Sequence, residues 1–132
     1  MAFSESAVIV SRVAATTFSS TSLYKFVVLD GNGNVIAPNT TGNVLPFGVL
    51  YGRTTTTSTG AQAVPVAIGG IAKVQMAAST AAAGNFVGSD TGGLGIAPTT
   101  DAYTAGQIVS GSSGSAGRIV SVNLFTGPLS TP

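Results

Sequence analysis

Glycine limits what this chain can fold into. Its 18 glycines fence the apolar residues into short runs, and none sustains the 3.6-residue periodicity over the roughly 10–12 residues that a regular helix needs. The runs are rich in Val and Ile instead. Strands are predicted over residues 7–13, 23–29, 35–36, 45–51, 63–68, 71–76, 86–87, 94–97, 107–110 and 118–125. The last of these alternates apolar and polar side chains, as a half-buried strand does (Ile119, Val120, Val122 and Leu124 against Arg118, Ser121 and Asn123). The best helical segment, residues 79–83, is closed by Gly84 after a turn or two. The expected fold class is all-β, a small β-barrel or β-sandwich.

What is missing narrows the chemistry. The chain has no His and no Cys, so it has no imidazole-based nucleophile system, no zinc site of the usual ligands and no disulfide. Its acids are Glu5, Asp30, Asp90 and Asp101, and Asp30 and Asp90 sit in turn contexts where Asp bonds its own backbone. The expectation is therefore no enzyme and no cofactor. Five scattered basic residues and a net charge of +1 give no electrostatic footprint for nucleic acid. No apolar run approaches the roughly 18–20 residues of a membrane helix, and the N-terminus carries Glu5 where a secretory signal carries bases. Yet 44% of the residues are hydrophobic and 7% charged. A domain of this size leaves much of its surface exposed when alone, so this composition points to surface covered by partners.

Three local motifs compete with plainer readings. Asp30, Asn32 and Asn34 open like a calcium loop, but Val35 stands at the sixth position and Thr41 at the twelfth, where that loop needs Gly and Glu. A hairpin turn is expected. Residues 111–117, rich in Gly and Ser, precede a strand rather than a helix and hold no Lys, so they read as a surface turn and not as a phosphate cradle. Asn39-Thr40-Thr41 matches a glycosylation sequon that has no meaning without a signal peptide. Arg53 and Arg118 read as solvated strand-end charges.

A weak repeat runs through the chain. Gly48-Val49-Leu50-Tyr51-Gly52, a Thr-rich loop and Val64-Pro65-Val66 follow the same plan as Gly106-Gln107-Ile108-Val109-Ser110-Gly111, a Ser/Gly loop and Val120-Ser121-Val122. Two related hairpins in one barrel would account for it. With residues 60–74, Ala83-Gly84-Asn85-Phe86-Val87 running to Asp90, and Ala116-Gly117-Arg118-Ile119-Val120, this course resembles the capsid cement (head decoration) proteins of tailed bacteriophages over residues 45–125. Asn85 stands where that family's pattern has an acid.

The resemblance implies a β-tulip-like domain on the outer surface of the virion head. It would bind the major capsid protein of an assembled icosahedral shell and clamp neighbouring subunits. It also implies a homo-oligomer, a trimer in the first place and a dimer as the alternative, with no nucleic-acid or membrane partner. Residues 1–22 are expected to form an N-terminal arm, or a first strand plus connector, ahead of a single β-domain over 23–132. In the arm reading, Phe3, Val8, Ile9, Val10, Arg12 and Val13 are the capsid-binding residues, adding a strand to a capsid-protein edge. A second function class is a host-recognition module of head-fibre or adhesin type, in which Tyr51, Tyr103 and Phe86 gather on one rim as a stacking platform for glycans.

Overall fold

A computed structural model describes residues 6–38, 45–52, 62–77, 82–97, 103–111 and 117–125. They are all-β: β1 (Ala7–Ala14), β2 (Phe26–Leu29), β3 (Val35–Ile36), β4 (Gly48–Leu50), β5 (Gln62–Gln75), β6 (Phe86–Ser89), β7 (Gly95–Ile96), β8 (Gly106–Ser110) and β9 (Ile119–Leu124), with a 3₁₀ turn at Ser20–Ser22. The sheet order is β1-β3-β2-β4-β5-β9-β8-β6-β7, and β1 also pairs with β5. That extra pairing closes the first five strands into a ring. The last five close as well, because Met76, just past β5, bridges back to Gly95 of β7. The fold is two five-stranded barrels joined through β5.

Two strands were expected where β5 is one. Gly69 and Gly70 read as a break between residues 68 and 71, but the chain passes through them as a bulge: Val8 pairs with Gly69 and Ile9 with Ala67, leaving Ile68 over. Gly70 takes a positive φ of 69°, which lets the strand turn from one barrel into the next. Before the bulge, Ala67 pairs with both Ile9 and Val49, so β1 and β4 lie on opposite edges. After it, residues 70–75 pair with β9.

The two barrels repeat each other in most of their strand pairs, the bulge at Ile68 aside. Phe26 and Val27 pair with Val49 and Gly48 as Phe86 and Val87 pair with Gln107 and Gly106. Leu50 pairs with Val66 as Ile108 pairs with Val122. In β1, Ile9 pairs with Ala67 and Val13 with Ala63, as Ile71 pairs with Asn123 and Gln75 with Ile119. The turns agree in detail. Asp30 Oδ1 accepts from the N–H groups of Asn32 (2.8 Å) and Asn34 (2.9 Å), and Asp90 Oδ1 from those of Gly92 (2.9 Å) and Leu94 (2.8 Å). The expected repeat of hairpins thus extends to whole barrels. Its clearest sequence trace, Phe-Val then Asp, Gly and Ile-Ala-Pro at residues 26–38 and again at 86–98, lies outside the segments that announced the repeat.

Each ring encloses its own core. The first holds Ala14, Phe18, Val27, Val35, Leu50, Val64 and Val66. The second holds Ala72, Val74, Met76, Val87, Ile108, Val120 and Val122, and Phe26, Val49 and Ala67 of the first barrel pack onto it. A narrow barrel accepts only a fixed volume. Where the first barrel sets Ala14 against Val35, the second sets Met76 against Gly95, the larger side chain having moved across the bridge. Among the described residues, Tyr24 is the one non-glycine with positive φ, 66°. Its counterpart is Gly84 at 93°: the Tyr24 N–H donates to Leu50 O at 2.8 Å and the Gly84 N–H to Ile108 O at 2.8 Å. The backbone turn is inherited by both halves, and one of them carries it on a side chain that disfavours it.

The first strand corrects the arm expectation. β1 runs beside β5 over its whole length, Ala14 is 3% exposed, and Phe18 after it is 2% exposed. Of the two readings of this segment, the structure holds the first strand of a barrel. Met1 to Glu5, and with them Phe3, lie outside the described residues.

Candidate functional site

The carboxylates of Asp30 and Asp90 are committed to their turns, each with one oxygen bound by two backbone N–H groups. Their matching geometry in both halves marks them as turn-formers, in agreement with the hairpin reading of residues 30–34. Among the described residues no three acids come together as a metal-binding group. Glu5, Asp101, Arg53, the sequon at 39–41 and the loop at 112–116 lie outside the described residues. Two of the cationic side chains rest on rings: the Arg12 guanidinium is 5.8 Å from the centre of Phe47, and Lys73 Nζ is 5.8 Å from that of Tyr24.

What the fold does assemble is apolar surface. Phe47, Ile68 and Phe125 line one shallow depression with Pro46 at its side. Phe125 meets Phe86 edge-on, ring centres 6.2 Å apart. Leu45 is 52% exposed, Phe86 53%, and Ile68 and Phe125 39% each. With Arg12 over Phe47 at one end, this makes a band running from the first barrel to the second. Ile68 belongs to it because the bulge leaves that residue outside the ladder.

A second feature is a cleft of about 260 Å³ lined by Ala7, Ile9, Tyr51, Ile71, Lys73 and Ser121 among others. It lies along the edge of β5 that β9 does not occupy. That edge is not bare. The N–H of Ile71 donates to Ser6 O (3.0 Å), that of Lys73 to Tyr51 Oη (2.6 Å) and that of Gln75 to Tyr24 O (2.7 Å). Tyr24 and Tyr51 are themselves edge-on at 5.4 Å. The tyrosine pair closes a strand edge that would otherwise invite another strand.

The residues expected to bind a partner through β1 do not form one surface. Side chains alternate along a strand, so Val8, Val10 and Arg12 share one face and Ile9 and Val13 the other. Val10 is half-buried against the first core, whereas Val8, Ile9 and Val13 are exposed by 55%, 47% and 40%. Of the aromatic residues expected on one rim, Tyr51 stands edge-on to Tyr24, and Phe86 to Phe125. Phe47, Ile68 and Phe125 were not singled out in the sequence. Nothing local distinguishes them from core positions; only the bulge and the barrel ends turn them outward.

No protein-family model, no curated protein and no solved structure matches the chain.

Proposed function

We propose that the protein is a virion structural protein of the capsid-cement type, which binds the outer surface of an assembled icosahedral head and ties neighbouring major-capsid-protein subunits together. The observation that carries this reading is the apolar depression lined by Phe47, Ile68 and Phe125, on a chain in which only 7% of residues are charged. Contiguous apolar surface on a small domain is surface awaiting a partner. A rigid double barrel offers it at little conformational cost, because the partner meets preformed strands. Binding that exists only on the assembled lattice stabilises the lattice by mass action. Copies arrayed over one shell make modest contacts sufficient.

The test is co-sedimentation of the purified chain with expanded empty capsids of its own virus and with their unexpanded precursors. Binding to the expanded form, reduced at least tenfold by Ile68→Asp or Phe125→Asp, supports the reading. Equal recovery with and without capsids in the pellet rejects it.

A further inference from the structure

The contact between the two barrels has a consequence at their far ends. Barrel one presents Tyr24, Phe26 and Ala67 to barrel two, which receives them along residues 71–75 of β5 and at the β6–β7 turn. Two backbone hydrogen bonds fix the fit: Gln75 N–H to Tyr24 O at 2.7 Å and Phe26 N–H to Gly93 O at 2.7 Å. Because the halves are duplicates, each chain carries both sides of this contact twice, once used and once open.

Exposure follows that division. Phe26 is buried at 1%, and its counterpart Phe86 is 53% exposed. Ala67 is fully buried, and Asn123 in its place is exposed. On the receiving side, Ile71 and Gln75 are half-buried, whereas Ile9 and Val13, which take their places in β1, are 47% and 40% exposed. Gly93 is buried and Gly33 exposed. Among the described residues, β1 has a strand neighbour on its outer side only at Ala14, through Val35.

We propose that copies of this chain associate head to tail, the Phe86 face of one chain seated on the Ile9–Val13 edge of the next, reproducing between chains the contact that joins the barrels within each. The occupant is a second copy because the established internal interface continues into both open faces and is complementary to them in register. By that correspondence, Phe86 N–H meets Gly33 O of the neighbour, and Gly84 O meets Val13 N–H. Gly84 O already accepts from Gln107 Nε2 at 2.9 Å, and a carbonyl has a second lone pair for the incoming N–H. Such a contact is heterologous, so it generates rings when its rotation closes and filaments otherwise. Val109, which follows Ile108 as Tyr51 follows Leu50, has no hydroxyl for the edge, and the pair of Lys73 and Tyr24 is replaced by Ser11 and Gly84. The contact between chains is therefore more apolar and looser than the one within. This association does not depend on what the assembly binds.

The experiment is native mass spectrometry and light scattering of the full chain at about 10 µM, with far-UV circular dichroism as the check on folding. The wild type should form a ring or filament of three or more copies. Phe86→Asp and Val13→Asp should each abolish it, while Val8→Asp, on the other face of β1, should leave it intact. The decisive sample is an equimolar mixture of the two disrupted variants. Each keeps one good face, so they should form a one-to-one dimer and stop there. Where either Asp variant loses its β spectrum, Phe86→Ser or Ile9→Ser replaces it. A monomeric wild type overturns the proposal, as does a two-copy assembly that only one of the variants disrupts, or a mixture that stays monomeric.

Discussion

At the scale of single residues, two buried glycines of the second barrel allow the same substitution to be compared in two surroundings. A Cβ added at Gly106 would lie 2.5 Å from the backbone oxygen of Asn123 and 2.5 Å from Val122 Cγ1. A carbonyl inside a sheet ladder cannot step aside without breaking pairing. At Gly95 the closest atom would be Met76 Sδ at 2.6 Å, the end of a flexible side chain that has other rotamers. Gly95→Ala should therefore destabilise by about 1–2 kcal/mol and Gly106→Ala by more, about 3 kcal/mol, within the usual range for overpacking and its upper tail. Urea unfolding of the two variants under one protocol checks the order. Equal midpoints would mean that the strand pair of β8 and β9 yields as easily as a methionine does.

At the scale of elements, β1 and β5 decide whether the first barrel exists. β1 contributes few buried side chains: Ala14 is inside and Val10 half so. Its role is to close a ring, pairing with β5 over eight Cα registers and reaching β3 at Ala14. Without it, the first core of Val27, Val35, Leu50, Val64 and Val66 faces solvent. Each such residue returned to water costs about 1.5–3 kcal/mol, against a total stability of roughly 5–15 kcal/mol for a domain. Deleting residues 2–17 should therefore abolish cooperative unfolding or drive aggregation, read by circular dichroism melts and by recovery in the soluble fraction. A truncated chain with an unchanged melting profile would return the segment to the status of a detachable arm.

At the scale of the whole molecule, nearly uncharged surfaces set the response to solution conditions. The proposed contacts through Phe86, Ile9, Val13, Ile68 and Phe125 would involve no ion pair between their apolar side chains. Screening acts on charges, with a Debye length falling to about 3 Å at 1 M salt, whereas apolar burial is strengthened by excluded salts such as sulfate. Oligomer and capsid association should accordingly change less than about threefold between 0.05 and 1 M sodium chloride. Sedimentation at both concentrations checks this. A loss of an order of magnitude would transfer the main contribution to Arg12, Lys25, Lys73 or Arg118.

The residues by themselves determined the class of structure and the turns. Asp30 to Asn34 read as a hairpin turn from side-chain chemistry alone, because an Asp that bonds N–H groups two and four residues on needs no distant partner. The strand character of Ile119–Leu124 was likewise written in its alternation. Part of the duplication showed as the shared plan around Gly48 and Gly106, whose missing side chains answer to the same close approach in each half. What the sequence left open was everything set by pairing at a distance. Residues 7–13 carry apolar side chains on both faces, a pattern equally suited to an arm covered by a partner and to a barrel strand, and only the ladder with β5 decides between them. Gly69 and Gly70 look like a break; they belong to a bulge because β1 pairs with residues 62–67 and again with 69–70, while β4 holds 66–67 on the other edge. The same holds for exposure. Phe26 and Phe86 open equivalent strands, and one is buried and the other exposed because only the first has a barrel docked upon it.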